Sequence, residues 1–110
     1  MQVEKKPNYT LLISDEGNFL DFYNSFLKLE SNLIKNHIII QISENLNTTE
    51  KDLLLFLDIA ISKKENGTSF VIISSSVNID NFPENFNIVP TLIEAEDILE
   101  MEAIERELGF

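Results

Sequence analysis

Two apolar, largely β-branched runs frame the middle of the chain: HIIIQIS at positions 37–43 and FVIIS at positions 70–74. Side chains alternate between the two faces of a strand, so the even-numbered isoleucines of the first run share one face. The second run is apolar on both faces, as a central strand requires. Between the two runs the sequence favours a helix from Thr49 to Lys63, closed by Asn66-Gly67. Together these segments predict a right-handed parallel βαβ unit.

The N-terminal part adds a hairpin and an aromatic helix. Residues 2–6 alternate in a charged pattern typical of an edge strand, Pro7-Asn8 is a turn pair, and residues 9–14 form the second strand. Asn18 favours a helix start. Seven apolar residues then follow the spacing of a single helical stripe: Phe19, Phe22, Tyr23, Phe26, Leu27, Leu33 and Ile34. We interpret this stripe as core that covers the sheet rather than as a ligand pocket.

The C-terminal part is less regular before it becomes helical again. Residues 74–83 predict a loop with one helical turn, and Asn87-Ile88-Val89 predicts a short strand. Thr91 and Glu94 have the spacing of a capping box, which opens a last helix running to about Leu108. The whole is a single α/β domain spanning residues 1–110. Its mixed β-sheet of four to five strands carries about four helices, in the order ββαβαβ(α)(β)α.

Composition supports one ordinary globular domain, with 44% hydrophobic and 25% charged residues. The N-terminus lacks the apolar region of a signal peptide. The longest apolar stretch, Leu53 to Ile61, is interrupted by Asp58 and is shorter than the roughly 20 residues that span a bilayer. We therefore expect a soluble, cytoplasmic protein.

The charge is strongly acidic and unevenly distributed. The net charge is -11, and the segment 94–107 carries seven acidic residues against the single basic Arg106. Nucleic-acid affinity comes largely from lysines and arginines that displace counterions from phosphates. Nucleic acid and anionic membrane surfaces are therefore not expected partners.

The groups that most catalytic sites use are scarce. The chain has no cysteine, one histidine (His37) and three glycines, so no dense zinc site, thiol nucleophile or glycine-rich phosphate loop can form. His37 begins a strand, where a structural role is typical. The acidic residues near the C-terminus are interpreted as a solvated helix face. We expect no catalytic residues, no metal and no cofactor.

The helix that begins near position 49 is the most informative segment for binding. Thr49 as N-cap with Asp52 as the third helical residue is the favoured register. Leu53, Phe56, Leu57, Ala60 and Ile61 form its predicted buried stripe, and Leu54 and Leu55 lie partly off that stripe. Exposed leucines beside a helix start are typical of an interaction patch. A helix buried on most sides is the alternative.

The order of elements and three local segments resemble the STAS domains, the family of sulfate transporters and anti-sigma factor antagonists. Ile38-Ile39-Ile40-Gln41-Ile42-Ser43 is similar to the family's strand ending in Asp-Leu-Ser. Gly67 with the strand at 70–74 falls where the family places them, and Thr91-Leu92-Ile93-Glu94-Ala95 resembles its late helix start. The resemblance covers nearly the whole chain and implies a bacterial regulator that binds a protein partner, such as an anti-sigma factor or kinase-like protein.

One departure from the family concerns its phosphorylated serine. Where anti-sigma factor antagonists have Asp-Ser-Ser-Gly, this chain has Thr49-Glu50-Lys51-Asp52 and no serine. Phosphate on Thr48 or Thr49 would suit the positive end of the helix dipole. We favour a permanently unphosphorylated state, with Glu50 in place of a phosphate, over a working switch.

The sequence thus predicts a non-enzymatic protein-interaction module. The predicted surface is the rim 44–55 with the adjoining loop 75–82, and its binding residues are Glu44, Asn45, Asn47, Thr48, Thr49, Glu50, Lys51, Leu54, Leu55 and Asn78. Two alternatives stay open. One is a lipid- or nucleotide-binding domain or small enzyme with a pocket under the aromatic first helix, and the other is a structural homodimer.

Overall fold

The β-sheet has five strands in the spatial order β1-β2-β3-β4-β5. The computed structural model describes residues 1–33, 35–75, 77–84 and 86–109. The strands are β1 (Gln2–Lys5), β2 (Thr10–Ile13), β3 (Ile38–Gln41), β4 (Phe70–Ile73) and β5 (Asn87–Val89). β1 pairs antiparallel with β2, and all other neighbours are parallel. The predicted mixed sheet, with a charged hairpin at its edge, is confirmed.

Within the described ranges, four α-helices accompany the sheet: α1 (Phe19–Glu30), α2 (Glu50–Leu54), α3 (Leu57–Glu65) and α4 (Leu92–Glu107). Short 3₁₀ turns lie at Ser31–Leu33, Glu44–Leu46 and Ile79–Asn81. The last of these is the helical turn predicted within the loop that precedes β5. The predicted order of strands and helices is therefore confirmed, although one predicted helix is divided in two.

Strands β2, β3 and β4 are buried on both faces, whereas the edge strand β1 is exposed. Successive residues of a strand point to opposite sides of the sheet. Leu12, Ile40 and Ile72 occupy one face, in register across three strands, and pack with residues of α1, α2 and α3. Leu11 and Ile39 occupy the other face and pack with residues of α4. The sheet thus separates three helices on one side from α4 on the other.

The aromatic stripe of α1 belongs to the core. Phe56, which is fully buried, contacts the rings of five residues at centroid distances of 5.2–6.5 Å, namely Phe19, Phe22, Tyr23, Phe26 and Phe70. Most of these contacts are edge-to-face, a favourable arrangement of aromatic quadrupoles. Leu27 departs from the prediction and is 41% exposed because it lies at the margin of the stripe. Ile34 lies outside the described residues.

The helix predicted from Thr49 to Lys63 is interrupted after Leu54. The N–H groups of Leu55 and Phe56 donate to carbonyls three residues back, at 3.1 and 3.0 Å, which tightens the chain into a 3₁₀ turn. This turn directs Phe56 into the aromatic core. It also changes the face that α3 buries, so Ile61, predicted to be buried, is 42% exposed.

Lys63 takes a buried position on α3 that the sequence pattern did not indicate. The residue is 4% exposed, and its ammonium donates to the carbonyls of Leu33 and Asn36 at 3.2 and 2.6 Å. These carbonyls lie where the chain leaves α1 and its 3₁₀ turn, so the lysine ties α3 to that connection. Among the described residues, no helix is long and apolar enough to cross a membrane.

Candidate protein-binding site at the start of α2

The connection between β3 and α2 is a short, well-defined bend. Ser43 caps the 3₁₀ turn at Glu44–Leu46 by accepting a hydrogen bond from the N–H of Asn45 at 3.3 Å. Asn47 then adopts a left-handed conformation with φ of 50°, which asparagine tolerates better than most residues. This bend brings the start of α2 to the edge of the sheet where the parallel strands end.

A capping box opens α2 in the predicted register. The Thr49 hydroxyl accepts a hydrogen bond from the N–H of Asp52 at 3.1 Å, and the Asp52 carboxylate accepts from the N–H of Thr49 at 3.0 Å. Two N–H groups that the first turn would leave unpaired are thereby satisfied. The helix start is consequently held in one orientation.

The loop that follows β4 contacts this rim at two points. The Ser75 hydroxyl donates to the Glu44 carboxylate at 3.2 Å, and the Asn81 side chain donates to the Glu50 carboxylate at 2.9 Å. Asn78 caps the 3₁₀ turn of the loop, since its side chain accepts from the N–H of Asp80 at 3.0 Å. The structure therefore brings the predicted rim and loop together, while Ser76 of that loop lies outside the described residues.

Leu54 is the last residue of α2, and Leu55 follows it as the C-cap. They are 39% and 48% exposed, whereas Leu53 and Phe56 on either side of them are fully buried. The backbone around Leu55 is also held from α1, because the Tyr23 hydroxyl donates to its carbonyl at 3.3 Å. The two leucines are therefore accessible apolar side chains on an ordered backbone, and their role in binding stays a prediction.

The remaining predicted site residues differ in their accessibility. Asn45, Asn47, Thr49 and Lys51 are exposed, and Thr48 and Glu50 are half-buried. The Thr48 hydroxyl itself is buried and has no hydrogen-bond partner among the described residues. Thr49 is therefore the more accessible of the two candidate phosphorylation sites.

A cleft of about 470 Å³ adjoins the rim at the ends of the parallel strands. Serine side chains from three strand ends contribute to it, namely Ser14, Ser43 and Ser74, together with Gln41 and Glu44. The Ser14 hydroxyl accepts a hydrogen bond from the N–H of Ser43 at 2.7 Å, which joins two of the strand ends. Sequence reasoning missed this cleft. A serine directly follows each of three largely apolar runs, and this repetition is the sequence signal that could have indicated the cleft.

His37 lies at the opposite, amino end of the parallel strands and does not join this site. Its Nδ1 accepts a hydrogen bond from the N–H of Ser69 at 2.9 Å. Burial lowers the pKa of the imidazole, and the nearby charges of Arg106 and Lys63 lower it further. The neutral ring, with its proton on Nε2, joins the start of β3 to the residues before β4.

The chain matches no protein-family model and no curated protein. Within the part of the chain that the structure describes, no three His, Asp or Glu side chains converge as a metal site requires.

Proposed function

We propose that this chain is a cytoplasmic protein-interaction module, a regulator of the STAS and anti-sigma factor antagonist type, which binds a protein partner through the start of α2. One observation carries the proposal: Leu54 and Leu55, at the end of the capped helix α2, are 39% and 48% exposed, whereas the adjacent Leu53 and Phe56 are fully buried. A preorganised apolar contact loses little conformational entropy when a partner covers it. The resemblance of the sequence to STAS domains, if it reflects common function, implies a partner at the same helix start.

The surroundings of the leucine pair indicate the chemistry of the partner. Glu44 and Glu50 belong to the same rim as the pair, and each accepts a hydrogen bond from the loop after β4. A partner surface with an apolar centre and basic margins complements this arrangement. An anti-sigma factor or a kinase-like protein with such a surface is the proposed binding partner.

The proposal is tested by affinity capture from the native cell followed by a binding measurement with the purified partner. The double variant Leu54→Asp with Leu55→Asp places charge at the centre of the surface. Loss of a central apolar anchor costs about 2 kcal/mol or more, so we expect the Kd to rise at least about 30-fold. Leu20→Asp is the matched control, because Leu20 is a leucine of α1 that is 61% exposed. A partner that binds all three proteins equally would contradict the proposal.

A phosphorylation switch at this site is a separate prediction. Thr49 is the accessible candidate, and phosphate at a helix N-cap is stabilised by the positive end of the helix dipole. Incubation with a kinase from the same cell, followed by intact-mass measurement, tests for one added phosphate that Thr49→Val abolishes. An unchanged mass with every candidate kinase would contradict a switch and leave the binding proposal intact.

A further inference from the structure

Helix α4 has an apolar stripe on the side that faces away from the sheet. Ala95 and Leu99 bury its inner side. On its outer side four large apolar residues are 56–71% exposed: Ile93, Met101, Ile104 and Leu108. With 3.6 residues per turn, these four side chains fall within a sector of about 80°. Isolated exposed apolar residues are ordinary on a protein surface, but four on one helix face form a patch. Asp97 falls in the same sector, between Ile93 and Met101, so one carboxylate interrupts the apolar stripe.

An acidic cleft runs beside this stripe, between α4 and the start of β2. Its volume is about 440 Å³, and its lining includes Tyr9, His37 and the carboxylates of Glu96, Asp97 and Glu100. The Tyr9 hydroxyl donates to the Glu96 carboxylate at 2.6 Å, which fixes one wall. Ile93 belongs both to the stripe and to the cleft lining, so the two features are continuous. Among the described residues that line the cleft, none is a lysine or arginine.

An exposed apolar helix face commonly docks either a second copy of the same chain or a different protein. The charge of α4 distinguishes between these two occupants. Residues 94–107 carry a net charge of -6. A second copy of the chain docked on this face would set two such segments against each other, and like charges oppose association. A basic partner meets the same carboxylates as an attractive field, which also accelerates its association.

We propose that the outer face of α4 docks a basic amphipathic helix from another protein. The apolar residues of that helix cover the stripe, and one of its lysines or arginines enters the acidic cleft. The mode is that of an amphipathic helix anchored at positions i, i+3, i+4 and i+7. This surface lies across the sheet from the start of α2, so it is distinct from the site of the proposed function.

The first test uses a synthetic amphipathic peptide of about 18 residues, or five helical turns, with leucines on one face and lysines elsewhere. The matched peptide has glutamate in place of every lysine. Titration into the isotopically labelled full chain, followed by NMR, should shift the amide signals of residues 93–108 in a saturable manner with the basic peptide alone. Absence of binding, equal binding of both peptides, or shifts confined to other regions would overturn the proposal.

The second test removes the stripe without changing the charge. Met101→Gln with Ile104→Gln should raise the Kd of the basic peptide at least about tenfold, and glutamine preserves helix propensity. Leu20→Gln on α1 is the matched control and should leave the Kd unchanged, as should Leu54→Asp at the other site. Circular dichroism shows whether each variant is folded. If the α4 variant binds as tightly as the control, or if light scattering shows a homodimer that the α4 variant dissociates, the proposal is wrong.

Discussion

His37 illustrates how a single residue is assigned its role by its neighbours. Its Nδ1 accepts a hydrogen bond from the N–H of Ser69, and the ring lies near the positive charges of Arg106 and Lys63. Protonation would place a proton on Nδ1, opposite a donor, and would add a third positive charge. The native environment therefore favours the neutral imidazole, which suits a structural link between β3 and β4.

The first prediction concerns the titration of His37. Its native pKa lies below the ordinary 6.5, so the unfolded chain binds a proton more readily than the folded one. The contribution of the neutral ring to stability is present above pH 6.5 and is lost as the pH falls through the lower native pKa. NMR titration of the imidazole should give a midpoint below 6.5. A midpoint at or above 6.5 would contradict the prediction that burial and the neighbouring positive charges lower the pKa of His37.

The second prediction concerns Tyr9 at the edge of the acidic cleft. Burial and the hydrogen bond to Glu96 raise the pKa of Tyr9 to about 12. Because the folded pKa lies above the ordinary 10.0, stability from this residue is complete below pH 10.0 and is lost as the pH rises towards 12. Tyrosinate absorbance of a Tyr23→Phe variant isolates this titration, since the chain has two tyrosines. A midpoint near 10 would contradict the prediction.

At the scale of elements, α2 is too short to be stable by itself. It has five residues, and isolated helices of fewer than about 12 are marginal in water. Its stability comes from the capping box at one end and from the burial of Leu53 and Phe56 at the other. Leu54 and Leu55 are held in place between these two anchors, which is why they remain exposed on an ordered backbone.

The third prediction tests the capping box. Thr49→Ala removes the hydroxyl that accepts the N–H of Asp52 and should lower the free energy of unfolding by about 1 kcal/mol in urea denaturation. Thr49→Ser keeps an acceptor oxygen and is the matched control, with little expected change. Equal losses for the two variants would mean that the methyl group, and not the capping hydrogen bond, stabilises the helix start.

At the scale of the whole molecule, the sheet places the two proposed binding surfaces on separate sides. The start of α2 belongs to the layer that contains the aromatic core, and α4 covers the other face. The buried parallel strands lie between the two surfaces and belong to neither of them. A protein built in this way can contact two partners without overlap between their footprints.

The fourth prediction concerns Phe56, which lies at the centre of the aromatic core. Phe56 is fully buried and touches the rings of α1 as well as Phe70 of β4. Phe56→Ala should lower the free energy of unfolding by about 3–5 kcal/mol, a large part of the stability of a small domain. The exposed Leu20→Ala should change it by less than about 0.5 kcal/mol. A loss below about 1 kcal/mol for Phe56→Ala would show that the aromatic contacts do not determine stability.

The local sequence was sufficient to predict the strands and the starts of helices α1, α2 and α4. The alternation in the strands and the caps at Asn18, Thr49 and Thr91 are set by neighbours within about one turn. Periodicity and side-chain capping act over that range, so they can be read without knowledge of the fold. The order of elements, and the rim predicted as a binding surface, follow from these signals. The local pattern leaves the exposure of Leu54 and Leu55 open, since it also allows a helix buried on most sides.

Tertiary packing decided the features that involve residues distant in the chain. The break between α2 and α3 arises because Phe56 reaches rings of α1 and β4, and the burial of Lys63 depends on carbonyls some 30 residues away. The acidic cleft requires Tyr9 to meet Glu96, which are 87 positions apart. No helical or strand period encodes such contacts, because they exist only once the sheet has brought the elements together.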